Sequence, residues 1–364
     1  MKLGVVTTSY PRSPGDPAGS FVAAHVEALR TLGHDVEVIA AGGPASTHAV
    51  TWITSSLFEH GGAPDRLERH PVRSLAEAAL VSARMSLAIA RRAARWDSII
   101  AHWLVPSAIA ALPARVPLLA IAHGGDIHTL RRMHLLAPVL QLLYRRDAQL
   151  VFVSEPLREI AREAAPALAP WLDAQAIQPM GLDLARFHRV GHTPTHPPTI
   201  VVAARLVDIK GVDVAIDALA YLRAGVRLVI AGDGPERSRL EGRERDRRST
   251  IEFLGTVDTV RRDQLLREAS VVIVPSRVTR SGRTEGMPMI ALEALAAGVP
   301  VVASAVGGLA ALAPPAMLVT PDRPRELAAA IDQTLSEPPE ASALRSVVAH
   351  LDWNSVAASL VRSA

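Results

Sequence analysis

The sequence predicts an α/β protein built from two doubly wound parallel sheets. Short apolar runs, typical of buried parallel strands, alternate with amphipathic or Ala-rich helical stretches along almost the whole chain. The alternation is interrupted at His188–Pro198 by a segment rich in Pro, Thr and His, which we interpret as a linker. With 364 residues, the chain also exceeds the roughly 250–300 residues at which a single hydrophobic core stops growing. We therefore expect two domains.

The first half opens with an apolar strand over Leu3–Thr8, a loop, a helix over Phe21–Leu32 that ends at Gly33, and a second strand over Asp35–Ala40. This order is the opening of a doubly wound sheet, in which ligands bind at the carboxyl ends of the strands. The other elements predicted here are a helix, three strands and a closing segment: Ser74–Trp96, Ser98–His102, Leu118–Ala122, Leu150–Ser154 and Ile177–Phe187.

The second half repeats the alternation of strands and helices. We predict strands at Thr199–Ala204, Arg227–Ala231, Ile251–Leu254, Val271–Pro275 and Val299–Ala303. We predict helices at Val212–Leu222, Glu236–Arg248, Pro288–Ala297 and Arg325–Leu335.

Composition excludes several classes of function. The chain has no cysteine, which removes disulfides, thiol nucleophiles and cysteine metal sites. The amino-terminal residues carry one charge and a short apolar run, so we expect a first strand and not a signal peptide. Met287–Val319 is apolar enough to resemble a membrane span, but Gly298, Pro300 and Pro314-Pro315 divide it into short pieces. We predict a buried α/β core there and a cytoplasmic protein.

The basic balance of the chain, a formal net charge of +3, is carried by arginine. Lys2 and Lys210 are the only lysines. Four arginines bracket the apolar positions of Thr129–Arg146: Arg131, Arg132, Arg145 and Arg146. Such a segment is compatible with peripheral contact with an anionic membrane at the cytoplasmic face. An ordinary helix that packs on the sheet is the favoured alternative, and we expect no nucleic-acid partner.

One stretch, Arg283–Gly308, combines features suited to a phosphorylated, sugar-like ligand. Glu285 and the following glycine precede Pro288, whose fixed φ suits the first turn of a helix. The start of a helix offers unpaired N–H groups and the positive end of a dipole, which favour phosphate. Glu293 is the only charge within the helix, and it could hold hydroxyl groups. The alternative, that Glu293 is the solvated edge of a core helix, stays open.

Other candidates stand where predicted strands end. His123 and Asp126 follow the strand Leu118–Ala122 beside two glycines, and we favour a functional role over a structural one. His102 ends a neighbouring strand with weaker support. Gly19 belongs to the loop after the first strand, but its spacing from other glycines is not that of a dinucleotide fingerprint, so an ordinary surface loop remains an equal alternative.

Two cations, Arg205 and Lys210, surround a strand-to-helix turn in the second half. Two such charges would neutralise a diphosphate, and the neighbouring helix start would add its dipole. Surface charge is the usual explanation for an isolated Lys or Arg. Because the chain has a single internal lysine, its occurrence in this turn is suggestive of function.

These segments together resemble the retaining glycosyltransferases with two facing Rossmann-like domains, the GT-B fold, and within them glycosyltransferase family 4. The motifs that carry the resemblance are GHDVEVIA, HGGD, PMGLDLARF, ARLVDIKG, AGDGP, FLG and EGMPMIALEALAAGVPVVAS. The last contains E-x7-E at Glu285 and Glu293. Each motif is weak alone, but in this order they are highly specific and span nearly the whole chain. The resemblance implies an inter-domain cleft that binds a nucleotide-sugar donor.

The resemblance also implies roles for individual residues. Arg205 and Lys210 would bind the donor diphosphate, and Glu293 would hold the ribose hydroxyls. The donor-binding group as a whole would be Gly19, Arg205, Lys210, Gly255, Glu285, Gly286, Met287, Pro288, Met289 and Glu293. The catalytic group would be His123, Glu285, Arg205 and Lys210, with Glu285 as a contact of the donor sugar and not a nucleophile. His102 and Asp126 would lie on the acceptor side. Ala311 departs from the family, in which an acidic residue often stands there.

The resemblance predicts domain limits as well. The first domain would comprise residues 1–188, the linker 189–198 and the second domain 199–349, and a helix over 350–364 would return to complete the first domain. The resemblance implies transfer with retention, without a cofactor and without an essential metal ion. The absence of an Asp-x-Asp motif agrees with the last of these. The donor would be a UDP- or GDP-sugar, and the acceptor a sugar or a lipid-linked glycan. Alternatives are a sugar phosphorylase, a nucleotide-sugar epimerase and a non-catalytic binding protein of GT-B shape.

Overall fold

The computed structural model describes residues 1–13, 15–43, 50–58, 66, 71–223, 225–243, 249–311 and 318–362, the side chains of residues 71 and 72 excepted. The chain divides into two compact units. Unit 1 comprises Met1–Gly181 and Trp353–Ala364, and unit 2 comprises Leu182–Asp352.

Unit 1 contains a parallel sheet that, within the described residues, has seven strands in the order β3-β2-β1-β4-β5-β6-β7. Its strands are β1 Lys2–Thr7, β2 Asp35–Ala41, β3 Val50–Ile53, β4 Ser98–His102, β5 Leu118–Ala122, β6 Gln149–Phe152 and β7 Ala176–Ile177. The direction of winding reverses between β1 and β4, which pair side by side. Loops that leave the carboxyl ends of these two strands diverge, and ligands of doubly wound proteins bind at such a switch point.

Helices connect the strands of unit 1. The α-helices are Ser20–Thr31, Pro71–Ala90, Ile109–Ala111, Gly125–Arg132, Leu136–Arg145, Glu155–Ala164, Ala169–Asp173 and Trp353–Arg362. Shorter 3₁₀ turns lie at Ala93–Arg95 and Pro166–Leu168, and a π-helical turn lies at Leu104–Ala108. The last helix of the chain, Trp353–Arg362, belongs to this unit and packs against Ser20–Thr31.

Unit 2 contains a second parallel sheet, with six strands among the described residues in the order β10-β9-β8-β11-β12-β13. Its strands are β8 Thr199–Ala203, β9 Arg227–Ala231, β10 Thr250–Gly255, β11 Val271–Val274, β12 Val301–Ser304 and β13 Leu318–Val319. This is the strand order of a Rossmann sheet, and the switch point lies between β8 and β11.

The helices of unit 2 cover both faces of its sheet. The α-helices are Leu184–Val190, Val212–Ala218, Arg237–Glu241, Thr259–Glu268, Met289–Ala297, Pro324–Ser336 and Ala341–Val348. Turns of 3₁₀ helix lie at Asp208–Lys210, Leu219–Tyr221, Gly307–Ala311 and Ala349–Leu351. Successive residues of β8 point to opposite faces, so Val201 lies in one buried cluster while Ile200 and Val202 lie in the other. Apolar burial on both faces explains the continuous apolar runs in the sequence.

The α/β fold class with two Rossmann-like units is confirmed, and several predicted strands agree with the structure to the residue. Ser98–His102, Leu118–Ala122 and Arg227–Ala231 are such strands. The predicted helix Val212–Leu222 is an α-helix only as far as Ala218, after which it tightens into a 3₁₀ turn. The predicted helix Glu236–Arg248 is α-helical over Arg237–Glu241, and residues 244–248 lie outside the described residues. Among the described elements that were not predicted are β3, β7, β13 and the helices Ile109–Ala111, Ala169–Asp173, Leu184–Val190, Thr259–Glu268 and Ala341–Val348.

The division between the units falls between Gly181 and Leu182, where the sequence suggested residue 188. The segment interpreted as a linker is bound to unit 2. Thr193 donates its backbone N–H to the Arg267 carbonyl at 2.8 Å, and Thr195 donates to the Glu268 carbonyl at 3.1 Å. These hydrogen bonds attach the segment to the end of the helix Thr259–Glu268. The composition of the segment did not predict this attachment.

The basic segment Thr129–Arg146 is two helices and not one. Gly125–Arg132 and Leu136–Arg145 are separated by a turn in which His134 has a φ of +57°. The second helix buries the apolar side chains Leu136, Val139, Leu140 and Leu143, which supports the favoured interpretation of an ordinary packed helix. The Arg146 guanidinium donates to the carbonyls of Leu112, Ala114 and Val116, so it serves the fold. Among the described residues, no helix has the length and apolar character that a membrane span needs.

Candidate active site

The loops that leave β8 and β11 are in contact at the switch point of unit 2. Gly211 ends the turn that follows β8, with a φ of +59°. A Cβ added there would lie 1.9 Å from the carbonyl oxygen of Pro275, the first residue after β11. Only glycine combines this positive φ with so close an approach. The glycine therefore lets the Lys210 turn lie directly against the loop that follows β11.

This contact brings two of the predicted residues together. The Lys210 ammonium lies 2.6 Å from Glu285 Oε1, and the two side chains are 23% and 12% exposed. Ser276, which follows β11, is fully buried and donates its hydroxyl to the same carboxylate oxygen at 3.3 Å. The ammonium and the carboxylate are thus held side by side at the carboxyl edge of the sheet. Such a pair can receive a ligand that carries both phosphate oxygens and hydroxyl groups.

The backbone at Glu285 is supported by the loop that follows β12. Gly307 has a φ of +54°, and a Cβ added to it would lie 1.9 Å from the Glu285 carbonyl oxygen. The Gly308 N–H donates to the Gly286 carbonyl at 2.9 Å. The two glycines therefore contribute by holding the backbone of Glu285 in place. Ala311, the position at which the resemblance predicts an acidic residue, is exposed at the end of this turn.

The helix that follows Glu285 begins at Met289, one residue later than predicted. Pro288 is its N-cap, with a φ of −65° and an extended ψ of 112°, and no side chain caps the amino end. At the other end Gly298 has a φ of +81°, which confirms the left-handed cap that the sequence predicts. Met287 is half-buried and packs against the core of unit 2. The uncapped amino end retains the N–H groups and dipole suited to phosphate.

Glu293 is buried, with 8% of its surface exposed, so it is not a solvated edge of the helix. Its Oε1 lies 2.9 Å from Nη1 of Arg262, on the neighbouring helix Thr259–Glu268. Burial raises the pKa of Glu293, while the guanidinium groups of Arg262 and Arg186 oppose that rise. The ion pair therefore offsets the cost of desolvating the carboxylate.

Arg262 is a site residue that sequence reasoning missed. Its helix is preceded by Asp258, whose carboxylate accepts the Arg261 N–H at 2.8 Å as an N-cap. Aspartate ahead of a helical stretch is a recognisable start signal and could have revealed this helix. No sequence pattern, however, indicates that Arg262 meets a glutamate of another helix.

Two further donor-site candidates lie at strand ends of unit 2. Arg205 is half-buried in the same loop as Lys210, two residues after the end of β8. Gly255 ends β10 with a φ of +71°, and its carbonyl accepts the Gly232 N–H at 2.7 Å. Both positions therefore lie at the carboxyl edge on which the doubly wound fold places its ligands.

In unit 1 the loop after β1 is folded so that its end lies against its own beginning. Gly19 starts the first helix with a φ of +66°, and a Cβ added there would lie 2.3 Å from the Ser9 carbonyl oxygen. The Asp16 carboxylate accepts from the Arg12 guanidinium at 2.8 Å and from the Ala18 N–H at 3.0 Å. Burial pushes the pKa of Asp16 up, but these hydrogen bonds outweigh it and leave the pKa lowered. The loop is thus a defined structure and needs a glycine at residue 19.

His123 stands at the end of β5 and is hydrogen-bonded to His102 at the end of β4. Its Nε2 lies 3.0 Å from His102 Nδ1, and His102 Nε2 lies 3.0 Å from Nδ1 of His25 on the first helix. Burial lowers the pKa of His123 to about 3, with a smaller effect from His25. His102 is fully buried, so none of its surface is available to contact an acceptor in this structure.

Aromatic rings surround the His123 imidazole. The Trp103 ring centroid lies 4.7 Å from that of His123, and the Phe21 centroid lies 5.2 Å away. Trp103 itself has a φ of +68°, a strained conformation for a large side chain at the exit of β4. Strained backbone of this kind tends to occur at functional sites.

Asp126 anchors the loops at the ends of β4 and β5. Its carboxylate accepts backbone N–H groups from Leu104 at 2.7 Å, His123 at 3.2 Å, Gly124 at 3.0 Å and Ile127 at 2.9 Å. Burial raises its pKa, and these hydrogen bonds oppose the rise. In this structure the carboxylate fixes the HGGD loop, and its suggested acceptor-side role stays a prediction.

The fold and these sites define a doubly wound α/β protein that has polar groups gathered at the carboxyl ends of its strands. A family profile described as Glycosyl transferases group 1 matches residues 197–337, and one described as Glycosyltransferase Family 4 matches residues 18–170. Together they cover most of the chain. The chain belongs to the glycosyltransferases that these two profiles describe. It is a transferase with the GT-B fold.

Individual relatives agree with this assignment. The Mycobacterium tuberculosis protein named glycogen synthase is 28% identical over an alignment 395 residues long. The alignment covers 98% of this chain and 92% of the relative. The GDP-mannose-dependent alpha-(1-6)-phosphatidylinositol monomannoside mannosyltransferase of the same organism is 29% identical over 286 residues, 72% of each chain. Among solved structures, Anabaena HepE in complex with UDP and glucose has a TM-score of 0.70 at 20% identity, covering 100% of this chain and 99% of that one. The last comparison shows a shared fold.

Proposed function

We propose that the protein transfers a sugar, with retention of anomeric configuration, from a UDP- or GDP-sugar to a sugar or lipid-linked acceptor. The observation that carries the proposal is the 2.6 Å pair between Lys210 and Glu285 at the switch point of unit 2. A nucleotide sugar presents phosphate oxygens and sugar hydroxyls close together. The ammonium can bind the phosphate oxygens and the carboxylate can accept from the sugar hydroxyls, so one ligand can engage both groups.

In the proposed reaction the leaving nucleoside diphosphate gains negative charge while the sugar gains oxocarbenium character. Lys210 and Arg205 would neutralise the diphosphate, and the uncapped amino end at Met289 would add N–H donors and its dipole. Donor phosphate would then replace Glu285 as the partner of Lys210. The released Glu285 carboxylate would accept hydrogen bonds from the sugar hydroxyls.

Glu293 would hold the ribose hydroxyls, and Arg262 would keep its carboxylate charged. Without the guanidinium at 2.9 Å, burial would favour the protonated acid, which is a poorer acceptor for two hydroxyl groups. Gly255 and its neighbours would lie beside the base. Arg262 is thereby added to the residues on which donor binding depends.

His123 would contact the sugar near the reacting carbon as a neutral imidazole. With a pKa of about 3, the ring carries no charge near neutral pH. A cationic ring would oppose the positive charge that develops on the sugar, whereas a neutral one can form a hydrogen bond at no such cost.

We further propose that transfer needs neither a metal ion nor an organic cofactor. Two cations and a helix start would supply the charge stabilisation that a divalent ion provides in other transferases. Activity that survives excess EDTA would support this, whereas activity that EDTA abolishes and Mg²⁺ or Mn²⁺ restores would contradict it.

The nature of donor and acceptor is supported by the names of similar proteins. HepE forms a complex with UDP and glucose, and the mannosyltransferase relative is named as GDP-mannose-dependent and as acting on a phosphatidylinositol monomannoside. We propose a cytoplasmic location with peripheral contact at anionic membrane. Arg132 and Arg145 are exposed near the exposed apolar side chains Leu135, Leu142 and Tyr144, a combination that suits a lipid surface.

The proposal is tested by a thermal-shift screen with UDP-, GDP- and ADP-sugars, because a true donor raises the unfolding temperature by mass action. The stabilising donor is then incubated with glycan acceptors, and the anomeric configuration of the product is determined by NMR. Inverted product would contradict retention. Phosphate-dependent release of sugar phosphate, isomerisation without an acceptor, or binding without turnover would indicate instead a phosphorylase, an epimerase or a binding protein.

A further inference from the structure

Three imidazoles form a continuous hydrogen-bonded chain inside unit 1. His25 Nδ1 lies 3.0 Å from His102 Nε2, and His102 Nδ1 lies 3.0 Å from His123 Nε2. His25 and His102 have no exposed surface. The three residues come from the first helix and from the ends of β4 and β5, so the tertiary fold assembles the chain.

The number of ring protons restricts the three imidazoles to two arrangements of donors and acceptors. A neutral imidazole has one N–H, and His102 uses both of its nitrogens in hydrogen bonds. If His102 donates from Nδ1, it accepts from His25 Nδ1–H, and His123 must carry its own proton on Nδ1. If His102 donates from Nε2, His123 donates from its Nε2 and keeps a basic lone pair on Nδ1. The protons of the three rings therefore shift together.

The buried end of the chain decides between the two arrangements. His25 Nε2 is buried and has no hydrogen-bond partner among the described residues. Trp353 stacks on the His25 ring at 5.3 Å with an interplanar angle of 10°, so it covers the face and not the in-plane nitrogen. A buried N–H without a partner is rarer in proteins than a buried acceptor without one. His25 is thus favoured with Nε2 unprotonated and its proton on Nδ1.

We propose that His25 and His102 are positioning residues that hold His123 in its Nδ1–H tautomer. In this tautomer His123 presents a hydrogen-bond donor on the nitrogen that does not contact His102. The inference rests on the proposed function, in which His123 contacts the sugar, and it deepens that role. His123 would donate to a sugar oxygen near the reacting carbon, and its Nδ1 could not act as a general base.

The environment keeps the chain neutral, as this proton order requires. Burial lowers the pKa of His25 to about 3 and the pKa of His102 well below its usual range, the latter with help from both neighbouring imidazoles. Among the described residues, the charged group bonded to this region is Asp126, whose carboxylate accepts the backbone N–H of His123 and not a ring N–H. Because no carboxylate of the described ranges is bonded to the three rings, the order of protons is set by the three imidazoles themselves.

The tautomers can be measured directly on the intact protein without any donor. Long-range ¹H–¹⁵N spectra of ¹⁵N-histidine-labelled protein at pH 7.5 distinguish Nδ1–H from Nε2–H imidazoles. We expect His25, His102 and His123 all to be Nδ1–H, with signals assigned by single His→Phe substitutions. Nε2–H at His102 and His123 in the wild-type protein would overturn the proposal.

Two substitutions at His102 separate positioning from mere packing. In His102→Asn the amide nitrogen can replace Nδ1 as donor to His123, so we expect His123 to stay Nδ1–H and kcat to fall by no more than about threefold. In His102→Leu we expect His123 to lose its fixed tautomer and kcat to fall about tenfold or more, with KM little changed. Equal kcat in the two variants would overturn the positioning role.

His128→Leu is the matched control, since His128 is a buried histidine of the same unit outside the three-ring chain. We expect it to lower the unfolding temperature while the His123 tautomer is unchanged. If His102→Leu does not fold, His25→Phe answers the same question, because it keeps a ring against Trp353 but removes the donor to His102. A failed transferase assay with an Nδ1–H His123 would sink the proposed function and leave the tautomer assignment standing.

Discussion

Lys210 and Glu285 lie far apart in the chain, yet their charged groups meet at 2.6 Å where the loops after β8 and β11 converge. Without a ligand, each group satisfies the other. A nucleotide-sugar donor would divide the pair, since phosphate competes for the ammonium and sugar hydroxyls compete for the carboxylate. The pair therefore links donor binding to a measurable exchange of partners.

Replacing Lys210 by alanine is expected to weaken donor binding by about tenfold to a hundredfold, because a hydrogen bond to a charged group contributes about 1.5–3 kcal/mol. Stability should also fall, by about 1–3 kcal/mol, because Glu285 is only 12% exposed and loses the partner of its carboxylate. Titration calorimetry and urea unfolding measure the two effects. Lys2→Ala removes the other lysine and should change neither; donor affinity unaltered by Lys210→Ala would remove Lys210 from the site.

Glu293 and Arg262 should be strongly coupled in stability. Removing one partner of a buried ion pair costs about 3–5 kcal/mol, because the remaining charge is left buried and unpaired. We expect Glu293→Gln and Arg262→Gln each to destabilise the protein, and the double variant to cost less than their sum. The exposed pair Arg131–Glu163 is the control cycle, with an expected coupling below about 1 kcal/mol. Additive effects at Glu293 and Arg262 would contradict this prediction.

The buried histidines should make stability depend on pH in mildly acidic solution. The pKa of His25 is about 3 in the folded protein and 6.5 in a model compound, so the folded state binds fewer protons between these values. Stability is therefore complete above about pH 6.5 and falls as the pH decreases, by about 1.4 kcal/mol per pH unit for each such histidine.

Asp126 and Glu293 titrate with the opposite sign, because their raised pKa values make the folded state bind more protons than the unfolded state. Both the wild-type protein and the variant His25→Phe contain these two carboxylates, so their contribution cancels when the two stability curves are compared. Between pH 5 and 6 we expect the variant to lose stability less steeply than the wild-type protein, by about 1.4 kcal/mol per pH unit. Identical slopes in urea unfolding at each pH would show that His25 is not held neutral.

Gly211→Ala tests the close approach of the two loops at the switch point. The positive φ alone costs a non-glycine residue about 1–2 kcal/mol, and a Cβ 1.9 Å from the Pro275 carbonyl adds a steric clash. We expect a loss of stability above 2 kcal/mol together with weaker donor binding, because the Lys210 turn must move. Gly33→Ala is the control, because Gly33 has a φ of +85° at the end of the helix Ser20–Thr31 and nothing within 4 Å, so it should show the conformational cost alone. Equal effects would mean that the loops are not in tight contact.

Membrane contact is tested by flotation with vesicles that contain anionic phosphatidylglycerol. Arg132→Glu/Arg145→Glu should reduce the bound fraction several-fold, since each basic residue near an anionic surface contributes about 1 kcal/mol. Arg84→Glu/Arg91→Glu makes the same change of charge on exposed positions elsewhere in unit 1 and should bind like the wild-type protein. Absence of flotation in the wild-type protein, or equal loss in both variants, would refute a specific surface.

Local pattern was sufficient for the elements that bury apolar side chains on both faces. Strands such as Leu118–Ala122 are continuous apolar runs, and their limits follow from the residues alone. The short strands β7 and β13 have two residues each and no such pattern, so they were missed. The helix Thr259–Glu268 was missed as well, because most of its surface is charged and it has little apolar periodicity.

The α/β alternation, the family, the positions of Lys210, Glu285 and His123 after strands and the position of Glu293 in a helix could all be predicted from the amino-acid sequence. These follow from short-range chemistry: apolar runs, helix starts and glycines at tight turns. Which of these groups are in contact could be learned only from the folded structure. The pairs Lys210–Glu285 and Arg262–Glu293 and the chain through His25 and His102 each join segments distant in sequence. Contacts of this kind depend on how parallel strands order themselves in a sheet, which no local pattern encodes.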